Sequence, residues 1–188
     1  MSRNVKIVLS IGASLFVFCG LLCGLVVLLL PRAVQNVFST NSSKAQAVGK
    51  QIADYALPAG YQERGALDLG FEKMVMLEPQ DHYGPVITLF QISSPYMSRD
   101  QLDRQFRQVL ESSFSQGTAE FQKVGERTVT IKGEPAVLAI SEGTTRGLTM
   151  RQATGTFKGK GGIALLMISG DATEWDWNVV EEFCRSIK

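Results

Sequence analysis

Hydrophobic and polar positions along this chain fall into three regimes. From residue 7 to 30 the sequence reads IVLSIGASLFVFCGLLCGLVVLLL, with no charge and only Ser10 and Ser14 clearly polar. At a rise of ~1.5 Å per residue, such a run makes a helix of about 36 Å, enough to cross a ~30 Å hydrocarbon core with some tilt. A helix satisfies its own backbone in lipid, so a transmembrane helix over 7–30 is predicted. The apolar core is longer than that of a cleaved secretory signal, and the nearest small-x-small triplet, Ala45-Gln46-Ala47, lies well past it. Cys19 follows Phe18 and Cys23 follows Leu22, which does not suit a lipoprotein signal either.

Residues 31–56 are mixed. Asn41-Ser42-Ser43 reads as a turn or helix start, and Val48, Ile52 and Tyr55 then recur at helical spacing before Leu57-Pro58. A short stalk helix is expected between membrane and domain. From Gly60 the period changes to two. Strands are predicted over 61–68, 71–78 and 86–92, the last two separated by a loop rich in Pro and Gly.

Ser98 opens a helix with an apolar stripe at Leu102, Phe106, Val109 and Leu110, ending near Gly117. Strands follow over 121–124, 128–132, 136–142, 148–157 and 162–169, with short Gly-containing connections that imply an antiparallel meander. Residues 163–168 (IALLMI) are apolar on both faces, which places that strand centrally with cover on each side. Thr173 is positioned to cap a final helix lined by Val180, Phe183, Cys184 and Ile187. The fold class is α+β: one transmembrane helix, then an antiparallel sheet packed by helices over 57–188.

Charge sharpens this division. Residues 1–56 carry five Lys/Arg and one acid, leaving 14 basic against 17 acidic side chains in the remainder of a chain whose formal total is +1. A domain of net −3 without a basic block argues against nucleic acid, whose binding needs clustered Lys and Arg. Arg3, Lys6 and the α-amino group ahead of the apolar run set the N-terminus inside, with the domain extracytoplasmic, against the opposite pull of Arg32 and Lys44. Gly20 and Gly24 form a GxxxG pair that would let two helices approach closely, as a homodimer or against another membrane subunit. Glycine is also simply common in membrane helices.

Candidate chemistry is sparse. His82 is the single histidine and sits in a loop beside Asp81, so no His-rich metal site can form. Cys184 lies on the apolar stripe of the last helix and reads as core. Residues 155–162 (GTFKGKGG) resemble a phosphate loop only faintly; no Ser or Thr follows the Lys and a strand comes next, so they read as a hairpin turn. No cofactor is implied. Tyr96 and Met97, between a strand and a helix, and Trp175, at the start of the last helix, are candidate partner contacts, because aromatic residues and Met are enriched where proteins meet.

The strand–helix order, with Leu57-Pro58-Ala59-Gly60-Tyr61, Val129-Thr130-Ile131-Lys132-Gly133, Leu166-Met167-Ile168-Ser169-Gly170 and Trp175-Asp176 before the helix reaching Ser186-Ile187, resembles the PsbP-like α/β sandwich superfamily over about residues 57–188. That resemblance implies a noncatalytic binding or assembly module, as in photosystem-associated lumenal subunits and a nuclear-transport factor of that fold. No functional residue of the superfamily maps onto this chain. The expectation is therefore a membrane-anchored binding or accessory protein whose globular domain engages a protein partner or membrane complex. The alternative is a tethered ligand-binding or enzymatic domain whose site only the fold assembles.

Overall fold

A computed structural model describes residues 38–81, 83–93, 101, 121–145 and 147–188. The expected membrane helix over 7–30 with Gly20 and Gly24, the loop residue His82, Tyr96 and Met97, and most of the helix expected from Ser98 lie outside these residues. Among the described residues no helix is long and apolar enough to cross a membrane. Residues Ser39–Lys188 form one compact unit.

That unit is built on seven long strands: β1 Tyr61–Asp68, β2 Glu72–Pro79, β3 Val86–Ile92, β4 Gln122–Ile131, β5 Glu134–Thr145, β6 Leu148–Lys158 and β7 Ile163–Asp171. They form a single antiparallel sheet in the order β1-β2-β3-β7-β6-β5-β4. Two meanders, β1 to β3 and β4 to β7, thus meet where β7 pairs with β3. β7 is central, as its two-sided apolar sequence required.

The registers define the two faces of the sheet, because directly paired residues point the same way. Ala66, Val75, Leu89 and Leu166 form one such row across four strands, and all four are buried. Two helices pack on this face. Helix α1, Ser42–Ile52, starts where the Asn41 side chain accepts hydrogen bonds from the backbone N–H groups of Ser43 and Lys44. Its buried residues Ala45, Val48 and Ile52 join the core of the sheet.

The expected stalk is therefore part of the domain. Its Val48-Ile52 stripe looked the same in sequence whether it faced a core or a neighbouring chain. Helix α2, Trp177–Ser186, buries Val180, Phe183 and Cys184, each worth roughly 1.5–3 kcal/mol if wholly apolar. The Phe183 ring meets Tyr55 at 5.6 Å, which joins the ends of the two helices.

Several expected boundaries shift for identifiable reasons. Asp176, not Thr173, caps α2; Thr173 lies in a 3₁₀ turn, Ala172–Glu174, headed by the Asp171 carboxylate. The two strands expected over 121–124 and 128–132 are one continuous β4, carried past Gly125 by a bulge between Lys123 and Gly125. The β4–β5 connection is the pair Lys132-Gly133, both at positive φ (56° and 77°), the geometry of a two-residue hairpin turn. Glu134 and Pro135 therefore begin β5 instead of belonging to the turn.

The opposite face of the sheet has apolar residues of its own. Ile163 and Leu165 of β7 form a second, smaller apolar cluster there with Phe90 and Ile92. Towards β4, β5 and β6 that face turns from apolar to hydroxyl-bearing. This is where the candidate site lies.

Candidate functional site

Alternation along β5 sends Ala136 and Leu138 to the helix face and Pro135, Val137, Ala139 and Ser141 to the other. The second set grades inward. Val137 is 54% exposed, Ala139 is half-buried and Ser141 is fully buried. Neighbouring β6 presents Thr154 and Thr156 to the same side, Thr154 opposite Ala139. These residues floor a cavity of about 670 Å³, within the size range of small-molecule sites.

Polar groups are placed unevenly within it. The Ser141 Oγ is buried and has no hydrogen-bond partner. A buried hydroxyl left unmatched costs roughly 1–3 kcal/mol. Thr154 is also buried. Lys123, Lys132 and Lys158 stand around the cavity with Glu126 and Glu134.

Lys123 is committed to Glu126 at 2.6 Å, an exposed pair that holds the Glu126 carboxyl below its ordinary pKa. Lys158 has no ion-pair partner among the described residues. The lining is thus net positive on a domain whose formal charge is negative. Among the described residues no three His, Cys, Asp or Glu side chains come together.

Of the sequence-derived candidates, residues 155–158 of the Gly-rich stretch line the cavity, whereas Trp175 and Cys184 do not. Trp175 is partly buried and packs edge-on against Trp177, centroids 5.3 Å apart. The Arg151 guanidinium lies over the Trp175 ring at 5.7 Å and is itself held by Glu142 at 2.6 Å. Arg127 covers Trp177 at 4.5 Å and donates two hydrogen bonds to the Glu181 carboxylate. Both tryptophans are thereby engaged in a corner of ring contacts and ion pairs.

Cys184 is fully buried, and desolvation pushes its thiol up to about 12, well above a reactive cysteine. Of the stretch 155–162 expected to be a hairpin turn, residues 155–158 are the end of β6 and only 159–162 turn, closed by Gly159 N–H to Gly162 C=O at 2.9 Å. Its Lys160 reaches back to donate to the Asp54 carboxylate (2.6 Å) and the Lys50 carbonyl (2.9 Å), fastening the end of α1.

Sequence reasoning missed the hydroxyl floor. The available signal was the apolar pair Val137 and Ala139 on the face of β5 that the alternation left for solvent.

No protein-family profile matches the chain, and no curated protein does. Among solved structures, LpqN of Mycobacterium tuberculosis, described as involved in cell envelope biogenesis, is similar over 72% of this chain and 81% of its own, at 13% identity and a TM-score of 0.39.

Proposed function

We propose that this protein is a noncatalytic binding module, held at a membrane by residues 7–30, that takes its target into the cavity over β4, β5 and β6. The observation carrying this reading is a cavity of about 670 Å³, large enough for a ligand, lined by the apolar Val137 and Ala139 together with Thr154, Thr156 and three lysines. A pre-formed, partly apolar concavity with a few placed polar groups is the usual form of a binding site. The extracytoplasmic placement belongs to the same proposal and rests on the basic residues ahead of the apolar run. The PsbP-like identity does too, resting on the strand–helix order and the motifs quoted above.

The test is a substitution that fills the cavity without touching the helix-side core. Ala139→Trp places a ring over the hydroxyl floor from a half-buried position. Native mass spectrometry of the full chain, taken from its own membranes in mild detergent, is expected to show a bound mass on the wild type that Ala139→Trp lacks. Tyr83→Ala, on a side chain 71% exposed in a different loop, is expected to keep it. A wild type that carries no additional mass, or an Ala139→Trp protein that retains it, would refute the proposal.

A further inference from the structure

Strand β4 is an edge of the sheet: it pairs with β5 on one side, and among the described residues no strand lies on the other. The hairpin that ends it decides which of its backbone groups are committed. The Lys132-Gly133 turn closes on Ile131 and Glu134, so Ile131 and every second residue before it, Val129 and Arg127, bond to β5. Thr130, Thr128 and Glu126 lie opposite Pro135, Val137 and Ala139 in the alternate, non-bonded positions, where a proline without an N–H is accommodated at 135. Their N–H and C=O groups point away from the sheet. All three residues are exposed, and none of these groups finds another backbone partner among the described residues.

A row of this kind is the template on which an extended chain adds as a further strand. The bulge between Lys123 and Gly125 bounds it at one end. The Lys132 N–H, donated to the Ile187 carbonyl at 3.1 Å, bounds it at the other. About five residues stay open, an ordinary strand length. Directly paired residues share a face, so alternate side chains of an added strand would turn to the cavity side, beside Val137, which is 54% exposed. Lys132 and Lys158 stand at one end of this row and Glu126 at the other.

Resting on the binding role proposed above, we infer that the target is a protein partner, bound through an extended segment that pairs antiparallel with β4, with an apolar side chain opposite Thr128 and an acidic one opposite Thr130. Antiparallel pairing continues a sheet in which every described pairing is antiparallel. A second copy of this chain fits badly. Arg127 and Lys132 hold α2 over this same strand, through Glu181 and the Ile187 carbonyl. Pairing β4 with β4 would set two α2 helices over strands ~4.8 Å apart, where packed helices need roughly 8–10 Å. A bare extended segment meets no such obstacle.

The probe is the peptide Thr-Asp-Val-Leu-Val-Lys-Thr, acetylated and carrying a fluorophore at its C-terminal amide. It is titrated by anisotropy with the full chain in lipid nanodiscs, against empty nanodiscs. Saturable binding is expected, with the Asp, Leu and Lys opposite Thr130, Thr128 and Glu126. N-methylation of the Leu should then weaken binding about tenfold or more, as suits one lost backbone hydrogen bond and a steric block. N-methylation of either Val, whose N–H faces away from β4, should change it less than about twofold. Thr128→Pro removes only an outward N–H and is expected to abolish binding, whereas Thr128→Val keeps the backbone and should bind as the wild type does. Hydrogen exchange on the wild type needs no variant. The Thr128 and Thr130 amides should exchange fast alone and about tenfold more slowly with peptide, while Arg127 and Val129 stay slow throughout. No saturable binding, equal losses from methylating Leu and Val, a Thr128→Pro protein that still binds, or no slowing at Thr128 and Thr130 would overturn the inference. If the peptide fails while a native mass still disappears in Ala139→Trp, the target is not an added strand and the cavity's binding role stands. If the wild type carries no additional mass either, the binding role falls with it.

Discussion

The hydroxyl of Tyr55 occupies the space that a Cβ on Gly49 would need. Gly49 is on the buried side of α1, and the Tyr55 hydroxyl lies directly against its backbone. Burial, with the nearby Glu63 carboxylate, pushes the Tyr55 pKa well above its ordinary value, and Glu63 is itself 6% exposed. The absence of a side chain at residue 49 therefore decides how closely the segment after α1 folds back over the sheet.

Gly49→Ala should accordingly destabilise the domain although alanine is the better helix former. Overpacking costs typically ~1–3 kcal/mol, against a helix-propensity gain of about 1 kcal/mol. Urea denaturation is expected to show a net loss of up to about 2 kcal/mol. Tyr55→Phe in the same chain removes the obstructing oxygen and should recover part of that loss. A double-mutant cycle with no coupling between the two positions would contradict the packing described.

Cys184 links stability to alkaline pH. Its thiol is raised in the folded state to about 12, whereas an unfolded thiol ionises near ~8.5. A raised folded pKa means that the folded chain retains the proton longer. The contribution is fully present below the unfolded value and is lost as pH rises towards the folded one. Between pH 8.5 and 10 the wild type should lose roughly 1–2 kcal/mol more than Cys184→Ala, read by denaturant titration at each pH. Iodoacetamide should modify Cys184 only after unfolding, as peptide mapping would show.

Asp68 works in the opposite direction. Lys73 Nζ, 2.7 Å away, lowers its pKa, with help from the Gly70 N–H at 2.8 Å. A depressed carboxyl contributes stability above its unfolded pKa of ~3.9 and loses it as pH falls through the lower folded value. Because Asp68 is about one-third exposed, the expected effect of Asp68→Asn at pH 7 is modest, about 0.5 kcal/mol. It should shrink as pH falls below the unfolded value. An effect unchanged by acid would mean that the turn hydrogen bond, not the charge, accounts for it.

Arg127 offers an optical test of the tryptophan corner. Its guanidinium covers Trp177 and pairs with Glu181. Arg127→Ala is expected to cost about 1 kcal/mol and to red-shift the tryptophan emission as water reaches the ring. Arg127→Met, which keeps the aliphatic cover, should restore most of the emission but not the stability lost with Glu181.

Much of this architecture was legible in the chain. β3 spans the residues expected of it, and β7 is central because Ile163 to Ile168 offers apolar side chains to both faces. β4 looked like two strands because Gly125 and Glu126 interrupt its pattern, and only pairing with β5 shows that a bulge absorbs them. The stalk helix was indistinguishable from a core helix because an amphipathic stripe states that something is covered, not what covers it.

The binding site was the least legible element. Ser141 and Thr154 are 13 positions apart and ordinary strand residues. Register places Thr154 opposite Ala139, two residues from Ser141 on the same face. No local pattern encodes that juxtaposition. The lysines are likewise unremarkable until the β4–β5 turn and the end of β6 bring Lys132 and Lys158 to one rim.

The most direct measurement is photocrosslinking from the cavity's own mouth. A benzoylphenylalanine replaces Val137 in the full chain, with Tyr83 as the exposed position away from the cavity, and native membranes are irradiated. The account predicts a discrete adduct at residue 137 that Ala139→Trp abolishes, and none at residue 83. Equal labelling at both positions, or no adduct at residue 137, would contradict it.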